Sequence, residues 1–98
     1  MDRFFILDGI EFEWDEEKYA LNLRKHGVRF EEAAEVFFDP YAQSGDTSVV
    51  DEDRSYYIGW SFSRKTLVVV FVERGSVIRI VSARKANRSE RKKYEETR

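Results

Sequence analysis

The sequence predicts an α+β fold: a small antiparallel β-sheet with two N-terminal helices and one C-terminal helix. Three observations carry this. Residues 54–83 hold three apolar runs separated by short polar turns. Residues 15–26, 28–40 and 83–98 carry helix signals, with Asp15 as an N-cap, Asn87 and Glu90 at capping-box spacing, and Gly27 and Asp39-Pro40 as stops. With 98 residues, 42% of them hydrophobic and 15% aromatic, the chain 1–98 is expected to be a single domain around one core, with a radius of gyration of about 13 Å.

In chain order, Ile10, Phe12 and Trp14 alternate with Glu11 and Glu13, the period of a strand with one wet face. Asp15 changes the rhythm, and Glu16 and Glu17 follow where a helix N-terminus favours negative charge. This helix runs to His26 before Gly27, with Tyr19, Ala20 and Leu23 on its apolar arc and Lys18, Asn22 and Lys25 on the polar side. A second short helix draws on Phe30, Ala33, Ala34, Val36, Phe37 and Phe38 until Asp39-Pro40 stops it. Residues 41–53 are rich in turn formers, with a short strand near Tyr41 to Ser44. Then Tyr56, Ile58, Trp60 and Phe62 alternate with Tyr57, Gly59 and Ser61, and this alternation favours Trp60 as a core residue. "SRK" turns the chain into "TLVVVFVE", and "RGS" turns it again into "VIRIVSA", which makes an antiparallel meander. Leu67 to Val72 is apolar on both faces and belongs in the middle of the sheet. The last helix opens with Asn87 and Glu90 at capping-box spacing, and an early start would group Arg84, Arg88 and Arg91.

The net charge of -2 conceals an asymmetry: residues 1–49 carry -7 and residues 50–98 carry +5. Clustered lysine and arginine in the second half create the field that phosphates feel. The absence of cysteine excludes disulfides and thiolate metal sites and suits a reducing cytoplasm. The apolar run in "MDRFFILDGI" is too short for a signal peptide, and no stretch approaches a membrane span.

Four features could carry chemistry. His26, the one histidine, follows Lys25; an imidazole can transfer protons near neutral pH, but a cation before Gly27 also simply finishes a helix. Arg79 lies within the apolar run "VIRIV", so it must be paired, face solvent or open onto a polar cleft. The run "ARKANRSERKK", with Tyr94 and the aromatic strand nearby, suits phosphates and bases, or else is a solvated helix face. Asp51, Glu52 and Asp53 could hold a divalent ion, yet three successive acids in an extended chain do not converge on one centre, and the usual zinc designs lack their ligands.

Lys25, His26, Arg79 and the basic run sit in two blocks, W-D-x-x-K…N-x-x-K-H-G-V-x-F-E-E-A and R-I-x-S-A-R-x-A…E-R-x-x-Y. In that order and spacing, from about Phe12 to Glu96, the chain resembles the BrnT family of toxins of type II toxin-antitoxin systems. The resemblance implies a RelE-like fold and a ribonuclease that arrests growth by cutting RNA. Its implied partner is a BrnA-like ribbon-helix-helix antitoxin, with promoter DNA bound only through the toxin-antitoxin complex; no cofactor, metal or membrane is implied. "MDRFFILDGI" stands outside the family pattern, and Ser63-Arg64-Lys65 occupies a turn where a glycine is expected.

Metal-independent cleavage by ribose 2′-OH attack needs a proton acceptor, a proton donor and cations around the phosphorane. On this reading His26 transfers protons, Lys25 and Arg79 stabilise charge, and Arg54, Arg84 and Arg88 hold phosphates. Tyr94 stacks on a base or donates a proton. Two rival classes remain: a non-catalytic nucleic-acid-binding or regulatory module, and a metal-dependent nuclease using the acidic loop.

Overall fold

A computed structural model describes residues 1–46 and 53–98. One six-stranded sheet has the order β1-β2-β6-β5-β4-β3, built from β1 (Asp2–Leu7), β2 (Ile10–Asp15), β3 (Gln43–Asp46), β4 (Ser55–Trp60), β5 (Thr66–Arg74) and β6 (Val77–Lys85). The helices are α1 (Glu16–His26), α2 (Phe30–Glu35), continued by a 3-10 turn at Val36–Phe38, and α3 (Arg88–Glu96). The Cα radius of gyration is 12.7 Å.

Two features depart from the expected antiparallel sheet with N-terminal helices. The first is β1, which pairs with β2 ahead of any helix. Its turn places Asp8 at φ 48 and Gly9 at φ 83, the positive pair that a tight hairpin requires and that Asp-Gly between apolar runs signals. The second is the seam between β2 and β6, which is parallel over Glu11–Val77, Phe12–Ile78 and Glu13–Arg79 and makes the sheet mixed. The chain leaves β2 into α1, which packs along β6 where β2 ends, and β6 returns from far along the sequence beside β2.

Both α1 caps form as the sequence dictates. The Asp15 side chain accepts from the Lys18 amide, and Gly27 at φ 70 donates its N–H to the Leu23 carbonyl at 2.8 Å. The core lies between the sheet and α1–α2, around Phe12, Trp14, Phe30, Leu67, Val69 and Ile80. Aromatic edges fill it: Trp14 meets Phe30 edge-on at 5.7 Å, and Phe37 meets Phe71 at 4.8 Å.

The helical wheel misplaces Asn22, Leu23 and the exposed Ala20. Asn22 is the buried residue of α1, whereas Leu23 is exposed. The β4 alternation is likewise inverted: Tyr57 and Gly59 face the core, while Tyr56 and Ile58 face away from α1 and α2, on the side of α3. Trp60 is half-buried under the Arg98 guanidinium, 3.6 Å from its ring centroid, and Phe62 lies exposed in the turn. At that turn Arg64, standing where glycine was expected, holds φ 64.

Candidate functional site

α1 and α2 cover one face of the sheet; α3 crosses only one end of the other. Along β5, Leu67 and Val69 belong to the core, while Val68, Val70 and Val72 turn to the open face. On β6 the ladder slips: Val70 faces Ser82 but Phe71 faces Ile80, so Val81 is an extra, bulged residue. Strict alternation would put Arg79 and Arg84 on opposite faces. The bulge brings both to the open face.

Two recesses lie along that face. One, of about 480 Å³, has Tyr56, Ile58, Val68 and Val70 as its floor and Ser82, Arg84 and Lys93 among its polar lining. The other, of about 420 Å³, is lined by Lys18, Arg54, Arg74 and Arg79, by the acids Asp53 and Glu73, and by Val72 and Val81. Their reference points on β5, Val68 opposite Arg84 and Val72 opposite Arg79, are four residues apart, or about 13 Å of strand. Arg79 and Arg84 therefore mark opposite ends of one strip.

Both arginines are paired within the chain. Arg79 lies beside Glu13 across the parallel seam and bonds its carboxylate; its other arm reaches Asp2 of β1 at 3.1 Å. The Asp2 bond raises the Arg79 pKa, burial opposes this, and Glu13 adds to it, so the cation is held firmly. Arg84 grips Glu90 with both arms, at 2.8 and 2.9 Å. Glu90 also closes the capping box, accepting from the Asn87 amide at 2.8 Å. Arg84 thus belongs to β6 and is tied to α3, and the expected helical grouping with Arg88 and Arg91 does not form because α3 starts only at Arg88.

Lys25 is exposed and His26 half-buried, in the last turn of α1. Neither lines the two recesses. Lys18 stands beside Val81, and Asn22 is bonded to Ala83, so α1 runs along β6 in the same sense. His26, one turn past Asn22, is thereby set toward the Arg84 end of the strip and away from Arg79. Among the described residues its ring makes no hydrogen bond or ion pair.

Arg54 shares a recess with Arg79, and Arg88 is exposed at the start of α3. Tyr94 requires a correction. It is fully buried, its hydroxyl donates to Asp39 and accepts from Arg98 Nε at 2.8 Å, and it has no face to offer a base. Asp39, which the sequence suggests only as a helix stop, is the centre of this cluster and also accepts from the Trp60 amide at 2.8 Å. Of the acidic loop, Asp51 and Glu52 lie outside the described residues; among those described, no group of three or more His, Asp or Glu converges as a metal site.

The residues that sequence reasoning left out of the site are Tyr56, Ser82 and Lys93. For Tyr56 and Ser82 the signal was the alternation of β4 and β6, legible only once the core face of each strand and the bulge were known; Lys93, on α3, lay within the basic run.

A family model described as the ribonuclease toxin BrnT of type II toxin-antitoxin systems matches residues 14–90. The crystal structure of the Brucella abortus ribonuclease toxin BrnT is similar, with 28% sequence identity, a TM-score of 0.63, and coverage of 76% of this chain and 94% of that one. No curated protein matches the sequence. The matched span contains Lys25, His26, Arg54, Arg79, Arg84 and Arg88, but not β1.

Proposed function

As the chain belongs to the BrnT family of ribonuclease toxins of type II toxin-antitoxin systems, we propose that it cuts single-stranded RNA laid along the open face of β4, β5 and β6, without a metal ion. The observation that supports this is the bulged β6, which aligns Arg84 and Arg79 on one face with Arg54 beside the latter. Phosphates are held by these guanidiniums and by Arg88. An arginine already paired with a carboxylate binds phosphate by exchange, the RNA taking the place of Asp2 or Glu90.

In the cutting step the ribose 2′-OH attacks the adjacent phosphorus and the 5′ oxygen leaves. His26 transfers the protons, with Lys25 beside it stabilising the charge that grows on the phosphorane. Support for His26 is that it is the one imidazole, that its ring is unengaged among the described residues, and that α1 sets it at the Arg84 end of the strip. Arg79, at the other end, steadies a phosphate farther along the strand rather than the one being cut. A RelE-like architecture, a cytoplasmic location and neutralisation by a BrnA-like ribbon-helix-helix antitoxin, whose complex binds promoter DNA, complete the reading. No helix among the described residues is long and apolar enough to cross a membrane.

His26→Ala is expected to lower the RNA cleavage rate by about a hundredfold to ten-thousandfold and to leave the melting temperature within a few degrees. Undiminished cleavage removes His26 from the mechanism. Activity that survives EDTA rejects the metal-dependent rival, and activity that disappears rejects the metal-free mechanism. Salt-sensitive binding with no product would favour the non-catalytic module.

A further inference from the structure

The recess at the Arg84 end differs in chemistry from the strip around it. Its floor is apolar and its walls carry hydroxyls from Ser44, Ser82 and Ser89. Of its two cations, Arg84 is neutralised by Glu90, whereas Lys93 is exposed and makes no ion pair among the described residues. Such a lining suits a flat, uncharged, hydrogen-bonding ring with a single negative charge beside it. A phosphate alone would find no cluster of free donors there. The volume, about 480 Å³, falls within the roughly 300–1,000 Å³ of small-ligand pockets.

The orientation of Tyr56 has a specific cause. Tyr56 stands directly opposite Gly45 in the antiparallel ladder of β3 and β4. A Cβ built on Gly45 would meet the Cε2, Cζ and hydroxyl oxygen of Tyr56 at 2.6 Å, far inside contact distance. The outer half of the ring therefore lies across the bare backbone of β3. Val70, its partner on the other side, flanks it on the floor. A glycine at 45 is what allows the ring to lie flat, and any side chain there would lift it.

Resting on the ribonuclease reading above, we infer that this recess holds one unpaired nucleobase of the RNA. The Tyr56 ring is the stacking platform, Gly45 is the residue that positions it, Ser82 and its neighbouring hydroxyls meet the base edge, and Lys93 takes the adjoining phosphate. Seating one base fixes the strand along β4–β6 and decides which phosphodiester reaches the His26 end. Base stacking on an aromatic side chain is sequence-tolerant, so discrimination falls to the hydroxyl rim.

The test uses the full chain and single-stranded oligonucleotides 2′-O-methylated throughout, which cannot be cut by 2′-OH attack. Binding is read by fluorescence anisotropy, and a single 2-aminopurine is moved through the sequence to report stacking. Tyr56→Ala is expected to weaken binding by about five- to a hundredfold and Tyr56→Phe by less than about threefold. Gly45→Ala, which keeps the ring but displaces it, is expected to weaken binding as well. In the unaltered protein 2-aminopurine fluorescence should be quenched at one position, and Gly45→Ala should relieve that quenching. Unaltered affinity in Tyr56→Ala and Gly45→Ala, or the absence of a quenched position in an oligonucleotide that does bind, overturns the base site and leaves the ribonuclease reading standing. A protein that neither binds any such oligonucleotide nor cuts unmodified RNA overturns that reading itself. Should Tyr56→Ala fail to fold, Gly45→Ala and the quenching pattern decide alone.

Discussion

Asn22 shows what one residue can settle between two distant elements. It is a polar residue at 8% exposure, and its amide donates to the Ala83 carbonyl at 2.8 Å while accepting from the Ala83 amide at 3.1 Å. β2 covers β6 only at Val77–Arg79, so farther along the strand the backbone of Ala83 would be buried without a partner on that side. The Asn22 side chain supplies what a neighbouring strand would have given. Asn22→Ala is expected to cost about 2–4 kcal/mol, because it strands a buried donor and a buried acceptor. Urea unfolding measures this, and a loss under about 0.5 kcal/mol would show the pairing to be dispensable. The wheel put Asn22 on the wet side since polarity is all that a wheel can read.

At the scale of elements, the junction between the 3-10 turn, β4 and α3 depends on one carboxylate. Asp39, 3% exposed, accepts from the amides of Trp60 and Tyr41 at 2.8 and 2.9 Å and from the Tyr94 hydroxyl. Gly59 makes room for it: a Cβ there would stand 3.0 Å from both Asp39 Oδ2 and Val36 Cγ1. Burial pushes the Asp39 pKa up, but the Trp60 amide, the Tyr94 hydroxyl and the Tyr41 amide outweigh it and hold the group below its usual 3.8. Glu90 is held below 4.5 mainly by the Arg84 guanidinium. A depressed folded value means that these groups stabilise the fold fully at neutral pH. That contribution drains away as pH falls below about 4 and through the folded values. Unfolding free energy followed from pH 6 to pH 2 should therefore drop on the acid side. Asp39→Asn should be less stable at pH 7 and show a shallower drop. A variant curve parallel to that of the parent would remove Asp39 from the acid response.

For the molecule as a whole, the charge asymmetry becomes a directional surface only through the sheet. Arg54, Arg79 and Arg84 come from one strand, β6, and the loop before β4, and they share a face through the parallel seam, the meander and one bulge. Binding of single-stranded RNA along that face should be strongly salt-dependent, with a slope in log–log terms of about -0.7 for each phosphate neutralised. Arg88, exposed at the start of α3, offers the cleanest check. Arg88→Ala should weaken binding uniformly across RNA sequences and flatten the slope by about 0.7, with no change in melting temperature. An unchanged slope would place Arg88 off the RNA path.

Much of this was legible in the residues. The caps of α1 at Asp15 and Gly27, the Asn87–Glu90 box and the β4–β5–β6 meander are local, set by side chains within a few positions of the backbone they satisfy or by short-range periodicity. The two motif blocks likewise name the family from their spacing alone. β1 was written in its Asp-Gly turn, but its run Phe4–Leu7 is apolar throughout and lacks the period of two that marks β2. What only tertiary structure decided was direction and face: the parallel β2–β6 seam, the inward turn of Asn22 and Tyr94, and the outward turn of Tyr56. Helix docking onto Ala83 and Asp39 settles the two inward turns; strand pairing and the Val81 bulge settle the rest, because a shift of one residue exchanges the faces of a strand, and hydrophobic periodicity cannot register an insertion that long-range pairing alone creates.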